Sequence, residues 1–581
     1  MSLKQAKEIP VYRSRTVAII VYIGLLLSPG RALAAAPEVE KLMGLMPDDL
    51  PLTMIVVDLA TLDRAVGSFL ESIGEDGSNA SLITKVKEEF LVGSWIDFSK
   101  PIGLAHTILT QREKPLLWAN IPQFKEKVKQ YAGATQEEGA WHLPSKDGDS
   151  VYAKNLGDYV VIAPSVEALA RATGGRSLPG KELKTRMDLL KGRQALLHIN
   201  MESVRPPLLS TLTQGAQMAP MLAMMMSQQS GGGDAATMIG VFTAVFDAAQ
   251  KFVQQINTID IAITIDANAA HAVLAAGFND GAIRKHLEQT SPATVPLLST
   301  IQTQPFVLAL AYHLPGNASP FIDYIFSTVT GAPAAAPAPA PISGDTHAPS
   351  DAVGAANVTR DFYRKIEGMN MLLTMSPKGV AISGDYIAAD SNALFALAKK
   401  AVIASGSLLN RLGGAEGWEP MPSRKIGQAT VEEFSIKFDS SNPRSATALK
   451  LYGGDLRYAI ASGRGGVRFY LGHPSHLDRA FPDQVSNPLG SSAGVKQALA
   501  ALPANANAIL LVDLAASIPL LARLGVSARA RQTSPGPPIA LALSLSKEPA
   551  RLEIHVPAGA IKRLKEALGT AIATDAAGTK E

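Results

Sequence analysis

Short apolar runs that lead through one polar residue into an amphipathic helix recur along this chain. They appear as Met54-Ile-Val-Val-Asp58-Leu-Ala-Thr-Leu, Ala195-Leu-Leu-His-Ile-Asn200, Phe306-Val-Leu-Ala-Leu-Ala-Tyr312 and Ile509-Leu-Leu-Val-Asp513-Leu-Ala-Ala-Ser. The first and last share Val-Asp-Leu-Ala. A second element follows the later copies. Ile259, Ile261, Ile263 and Ile265 alternate with Asp260, Ala262, Thr264 and Asp266, the period-two pattern of a half-buried strand. A turn at Ala267-Asn268 leads to a strand from His271 to Gly277 and a helix over 281–289. Met369, Met371, Leu373 and Met375 begin the same series, with a turn at 376–379, a strand, and a helix over 392–400. Ile539, Leu541, Leu543 and Leu545 begin a third.

These patterns predict a β-α-loop-β-β-α module in clear copies near 195–290, 303–402 and 505–570, with related material before them. Gly157-Asp158-Tyr159 matches Gly384-Asp385-Tyr386, and 466–478 reads as another hairpin strand leading into a helix. The expected fold class is α+β, with antiparallel sheets and helices packed on one face. The expected segments are 1–34 as a signal, then modules at 35–190, 191–294, 295–404 and 405–572, and a tail at 573–581. The Ala-Pro tract over 331–356 reads as an extended, semi-rigid linker, and 227–234 (SQQSGGGD) as a polar glycine loop.

The amino terminus changes the picture from fold to compartment. Lys4, Lys7, Arg13 and Arg15 precede an uncharged apolar run from Thr16 to Leu27, then Ser28-Pro29-Gly30 and Ala32-Leu33-Ala34-Ala35-Ala36. Basic, apolar, then small residues is the layout of a cleavable secretory signal, with cleavage expected after Ala34 or Ala36. The apolar run is about a dozen residues, below the roughly 20 that span a bilayer, so the uncleaved-anchor alternative ranks second. The chain has 0 cysteines, which removes lipobox anchoring, disulfides, thiolate metal sites and cysteine nucleophiles. The expected location is periplasmic or secreted, with no stable membrane span after cleavage.

The composition is 47% hydrophobic and 18% charged with a net charge of +3, which argues against a nucleic-acid partner. The modular pattern resembles uncharacterised families of large exported bacterial proteins with duplicated β-α-β-β-α modules. That resemblance implies no catalytic residue at any position of this chain.

Candidate chemistry is sparse. Gly490-Ser491-Ser492-Ala493-Gly494 has the G-x-S-x-G spacing of serine hydrolases, but a loop sequence precedes it, and helix capping explains the serines. His473, His476 and Asp478 suggest a metal site, against which Ser475 and Asp478 read as a capping box. Asp58 and Asp513 recur at strand-to-helix junctions, where aspartate caps helices. No metalloprotease, phosphate-loop or dinucleotide motif occurs. No catalytic, cofactor-binding or metal residue is assigned. Met218, Met221, Leu222 and Met225 lie at the spacing of one apolar helix face and, with Met226, are the apolar-contact candidates, with core packing as the first reading and copper(I) as the last. The expected function is an exported, non-enzymatic binding or scaffold protein with an unidentified protein or apolar ligand as partner. The alternative is a carrier of lipids or other apolar ligands, and a lesser one is a serine hydrolase.

Overall fold

The computed structural model describes residues 36–567 apart from 78–80, 107–113, 145–149, 176–177, 230–234, 292–297, 314–351, 377, 414, 439–444, 446–450, 453–454, 464, 524–535 and 546–548. The signal, the tail and most of the Ala-Pro tract lie outside the described residues. Two compact units divide the chain: Met1–Val204 with Thr258–Ala275, and Arg205–Asn257 with Ala276–Glu581.

In the first unit the strands are β1 (Leu52–Val56), β2 (Ile102–His106), β3 (Leu116–Ala119), β4 (Thr135–Glu137), β5 (Ala140–Pro144), β6 (Ser150–Leu156), β7 (Tyr159–Ala163), β8 (Ala195–Asn200), β9 (Ile256–Ile265) and β10 (Ala269–Phe278). They form a ladder in the order β4-β5-β6-β7-β3-β2-β1-β8-β9-β10. The helices are α1 (Ala36–Leu45), α2 (Leu59–Ser72), α3 (Leu82–Glu89), α4 (Phe124–Lys129), α5 (Val166–Gly174) and α6 (Gly180–Leu190).

Alternate residues of the same strands enter two different cores. Met54, Val56, Leu117, Val160, Ile162, Leu197 and Ile263 pack with Leu62, Val66 and Val86 of α2 and α3. Ile55, Val57, Leu116, Trp118, Val161, Leu196 and Ala262 pack with Leu42, Leu169 and Leu189 of α1, α5 and α6. A sheet covered on both faces buries every strand residue, which is why β7 is apolar at all five positions. The fold is α+β with antiparallel pairing, but helices cover both faces rather than the one expected.

The second unit opens with α7 (Met201–Gln229, from Arg205), α8 (Ala235–Gln255) and α9 (Ala282–Gln289). Its strands are β11 (Leu308–His313), β12 (Gly368–Ser376), β13 (Gly379–Ile387), β14 (Ala415–Pro420), β15 (Arg424–Ile426), β16 (Ala429–Phe438), β17 (Leu456–Gly463), β18 (Gly466–Gly472), β19 (Ala508–Val512), β20 (Ile539–Ser544) and β21 (Ala550–Pro557). The order is β16-β17-β18-β13-β12-β11-β19-β20-β21, with β14 and β15 both on β16. Helices α10 (Ala352–Lys365) and α11 (Ser391–Gly413) cover Phe434, Ile460, Val467 and Phe469, and α12 (Ala493–Ala500) covers Ala309, Ala311, Leu511 and Ala540.

Each ladder is built outward from one antiparallel pair, β1 on β8 and β11 on β19. The bonds closing the two pairs sit in the same register. Val57 N–H donates to Gln194 C=O, and His313 N–H to Asn507 C=O, each at 2.8 Å. Asn200 N–H donates to Pro51 C=O, and Asp513 N–H to Val307 C=O, each at 3.0 Å.

Three expectations need correction. Residues 35–190 and the strands of 191–294 are not separate modules, because β8 and β9 join the ladder that starts at β1. The expected linker ends early, since 352–356 is the first part of α10. Gly157-Asp158-Tyr159 and Gly384-Asp385-Tyr386 both belong to the return of a hairpin that leads into a helix, but at different places along it. Tyr159 starts β7, whose neighbours are β6 and β3, while Tyr386 lies in β13 between β12 and β18.

Candidate functional site

A buried polar cluster in the first unit comes from three places far apart in sequence. His198 of β8 and Asp260 of β9 are directly opposed across the ladder. Arg186 reaches them from α6. Nδ1 of His198 lies 2.8 Å from Asp260 Oδ1, and Nη2 of Arg186 lies 3.0 Å from His198 Nε2. Arg186 Nε is 3.7 Å from Asp260 Oδ1. All three are buried, His198 at 3% exposure. Burial lowers the Arg186 pKa from its ordinary value, while Asp260, Glu182 and Asp48 hold the charge in place.

An aspartate on one imidazole nitrogen is half of a general-base device, which needs the other nitrogen open to substrate. Here a guanidinium, which only donates, occupies that nitrogen. His198 therefore accepts at Nε2 and donates from Nδ1 to Asp260. The adjoining cavity, lined by Met43, Met46, Thr53, Arg186, Leu196 and His198 among others, has about 10 Å³ of room for the centre of a water-sized sphere, enough for about one water. The arrangement closes a buried charge network and leaves no reacting atom in reach of a substrate.

In the second unit the same register position, opposite each other on β19 and β20, holds Leu511 and Ala540. The ladder closes there without a polar group, so the cluster is a property of the first unit alone. Sequence reasoning missed it because the Ile259–Ile265 alternation placed Asp260 on a face taken as solvated. The signal available was a histidine inside the otherwise apolar run 195–199.

The second candidate is the antiparallel helix pair α7–α8. Arg205 donates to the Ile256 carbonyl at 2.7 Å, and Gln250 to Thr213 Oγ1 at 3.3 Å. A Cβ on Gly215 would lie 2.6 Å from the Phe246 ring, so glycine lets the helices close there. Met218, Met221 and Met224 follow at steps of three, each rotating about 60° around the helix axis away from that seam. Their exposures are 48%, 51% and 55%, and Phe252 on α8 is 45% exposed. Core packing, the first reading of these methionines, does not hold for Met218 and Met221. Leu222, Met225 and Met226 lie on α7 with side chains outside the described residues.

The remaining candidates are dispersed. Ser492 stands at the start of α12 after a 3₁₀ turn over Leu489–Ser491, not after a strand, and its side chain caps nothing. His473 Nδ1 lies 2.9 Å from Ser475 Oγ, His476 Nε2 lies 3.0 Å from Ser376 Oγ, and Asp478 pairs with Arg424 at 3.3 Å. Among the described residues no group of three His, Asp or Glu is placed to hold a metal ion. Asp58 accepts from Thr61 N–H at 2.8 Å, and Asp513 accepts from Ala515 and Ala516 N–H while pairing with Arg563 at 3.3 Å. Among the described residues no helix is long and apolar enough to cross a membrane.

No family model matches the chain, and no curated protein matches it. Among solved structures, crystal form I of a protein titled TP0453 aligns at 9% identity and a TM-score of 0.22, covering 41% of this chain and 79% of that one. Its crystal form III aligns at 11% identity and a TM-score of 0.19, covering 41% and 80%. Overlap this low carries no argument about fold or function.

Proposed function

We propose that this chain is an exported, non-enzymatic binding protein of the cell envelope that engages an uncharged apolar partner through the α7–α8 helix pair. The observation that carries this reading is the run of half-exposed methionines at 218, 221 and 224 with Phe252 on the neighbouring helix. Apolar side chains left in water at helical spacing mark contact surfaces, and methionine adapts to varied apolar partners. Export rests on the basic, apolar and small-residue zones of the first 36 residues. The absence of catalysis is supported by the Arg186 cap on His198 and by the loop setting of Ser492. A carrier would require a long apolar cavity, yet the apolar residues on both faces of each ladder pack as core.

Photo-crosslinking in the native cell tests this reading. A photoreactive residue at Met221 is expected to give a discrete adduct, while one at exposed Glu137 gives none. Equal labelling at both positions, or none at 221, would overturn it.

A further inference from the structure

The partner class can be named from charge, and this step rests on the binding role of α7–α8. From Pro206 to Gly233 the sequence contains no Asp, Glu, Lys or Arg, in a chain that is 18% charged. From Ala235 to Phe246 there is again none. Asp234 separates the two stretches, and the other ionisable residues of the pair are Glu202 and Arg205 at the start of α7 and Asp247 and Lys251 in the second half of α8. A helix that docks on anionic lipid carries Lys and Arg on its polar face. The stretches 206–233 and 235–246 carry none. Its polar positions are Ser, Thr and Gln, which enter a headgroup layer without the cost of desolvating a charge. Met218 and Met224 are about 9 Å apart along the axis, a footprint suited to shallow seating rather than spanning.

We infer that α7–α8 seats on a net-neutral lipid surface, with Met218, Met221, Met224 and Phe252 entering the acyl boundary. The mature full chain should float with phosphatidylcholine vesicles, equally well at low and high salt because no ion pairs are involved. The triple variant Met218→Gln, Met221→Gln, Met224→Gln should lose at least about tenfold in vesicle affinity while keeping the wild-type thermal melt. Absence of flotation, an undiminished triple variant, or a requirement for phosphatidylglycerol would overturn the lipid assignment. A protein adduct at position 221 without vesicle binding would overturn it too, yet leave the binding role standing. Loss of both vesicle binding and the adduct would remove both.

Discussion

Arg186 donates a hydrogen bond to the one imidazole nitrogen of His198 that Asp260 leaves open, at 3.0 Å. Because the guanidinium cannot accept, the bond assigns the tautomer: neutral His198 carries its proton on Nδ1. Nitrogen-15 NMR of the ring is expected to show a protonated Nδ1 and a bare Nε2. A proton on Nε2 at neutral pH would contradict this geometry.

The cluster also predicts an asymmetry between breaking and replacing it. Asp260→Ala strands a buried guanidinium and should cost about 3–5 kcal/mol. The triple change Arg186→Met, His198→Leu, Asp260→Ala installs on the two strands the pair found at Leu511 and Ala540. It should be close to wild type or more stable, since apolar replacement of a buried ion network is often neutral or favourable. Urea denaturation of both variants checks this, and a triple variant as weak as Asp260→Ala would refute it.

High pH should unfold the second unit through its tyrosines. Tyr363 of α10 and the strand residues Tyr312, Tyr386 and Tyr458 pack against one core beneath α10 and α11. Burial pushes the Tyr312 hydroxyl up to about 12. Burial also raises Tyr363, Tyr386 and Tyr458. A phenol whose folded pKa exceeds its unfolded value of about 10 contributes fully below pH 10, and that contribution is lost as pH rises toward 12. Tyrosinate absorbance at 295 nm and circular dichroism should therefore change together above about pH 10. Ionisation of these tyrosines near pH 10 with the fold intact would be the contrary result.

The two helix-start candidates should respond differently to truncation. Asp58 accepts from both the backbone N–H and the hydroxyl of Thr61, each at 2.8 Å. Asp58→Ala is expected to cost about 1 kcal/mol. Ser492→Ala removes no cap and should stay within about 0.5 kcal/mol. Thermal unfolding separates the two, and equal losses would contradict the assigned caps.

Gly384 in β13 lies against the Asn370 carbonyl of β12, in the place a Cβ would occupy. Gly384→Ala should force the hairpin apart and cost on the order of 3 kcal/mol, the scale of overpacking in a closed core. A melting temperature unchanged from wild type would show that the strands yield there.

Much of the local structure was legible from pattern. The runs at 54, 195, 306 and 509 became β1, β8, β11 and β19, and the alternating run at 259–265 became β9. These elements are set by short-range periodicity, which the chain carries in itself. The pairing of β1 with β8 was not legible. It joins residues well over a hundred positions apart, and nothing local distinguishes β8 from another apolar strand as partner.

The site divided in the same way. The methionine run of α7 was visible as a stripe, but helical spacing alone did not say whether that stripe faces a core or water. Gly215 against Phe246 turned the seam elsewhere and left Met218 and Met221 exposed. The Arg186–His198–Asp260 cluster was invisible because period-two alternation tells which residues share a face, not what covers that face.

The sequence by itself determined the local elements, the absence of thiol chemistry and the charge-free character of 206–233, because each is a property of composition or of neighbours in the chain. Tertiary structure alone decided which strands pair, that helices cover both faces of each ladder, and that Asp260 is buried. Burial depends on segments brought together across the chain, and α6 delivers Arg186 to a strand face that β9 taken alone would leave to water.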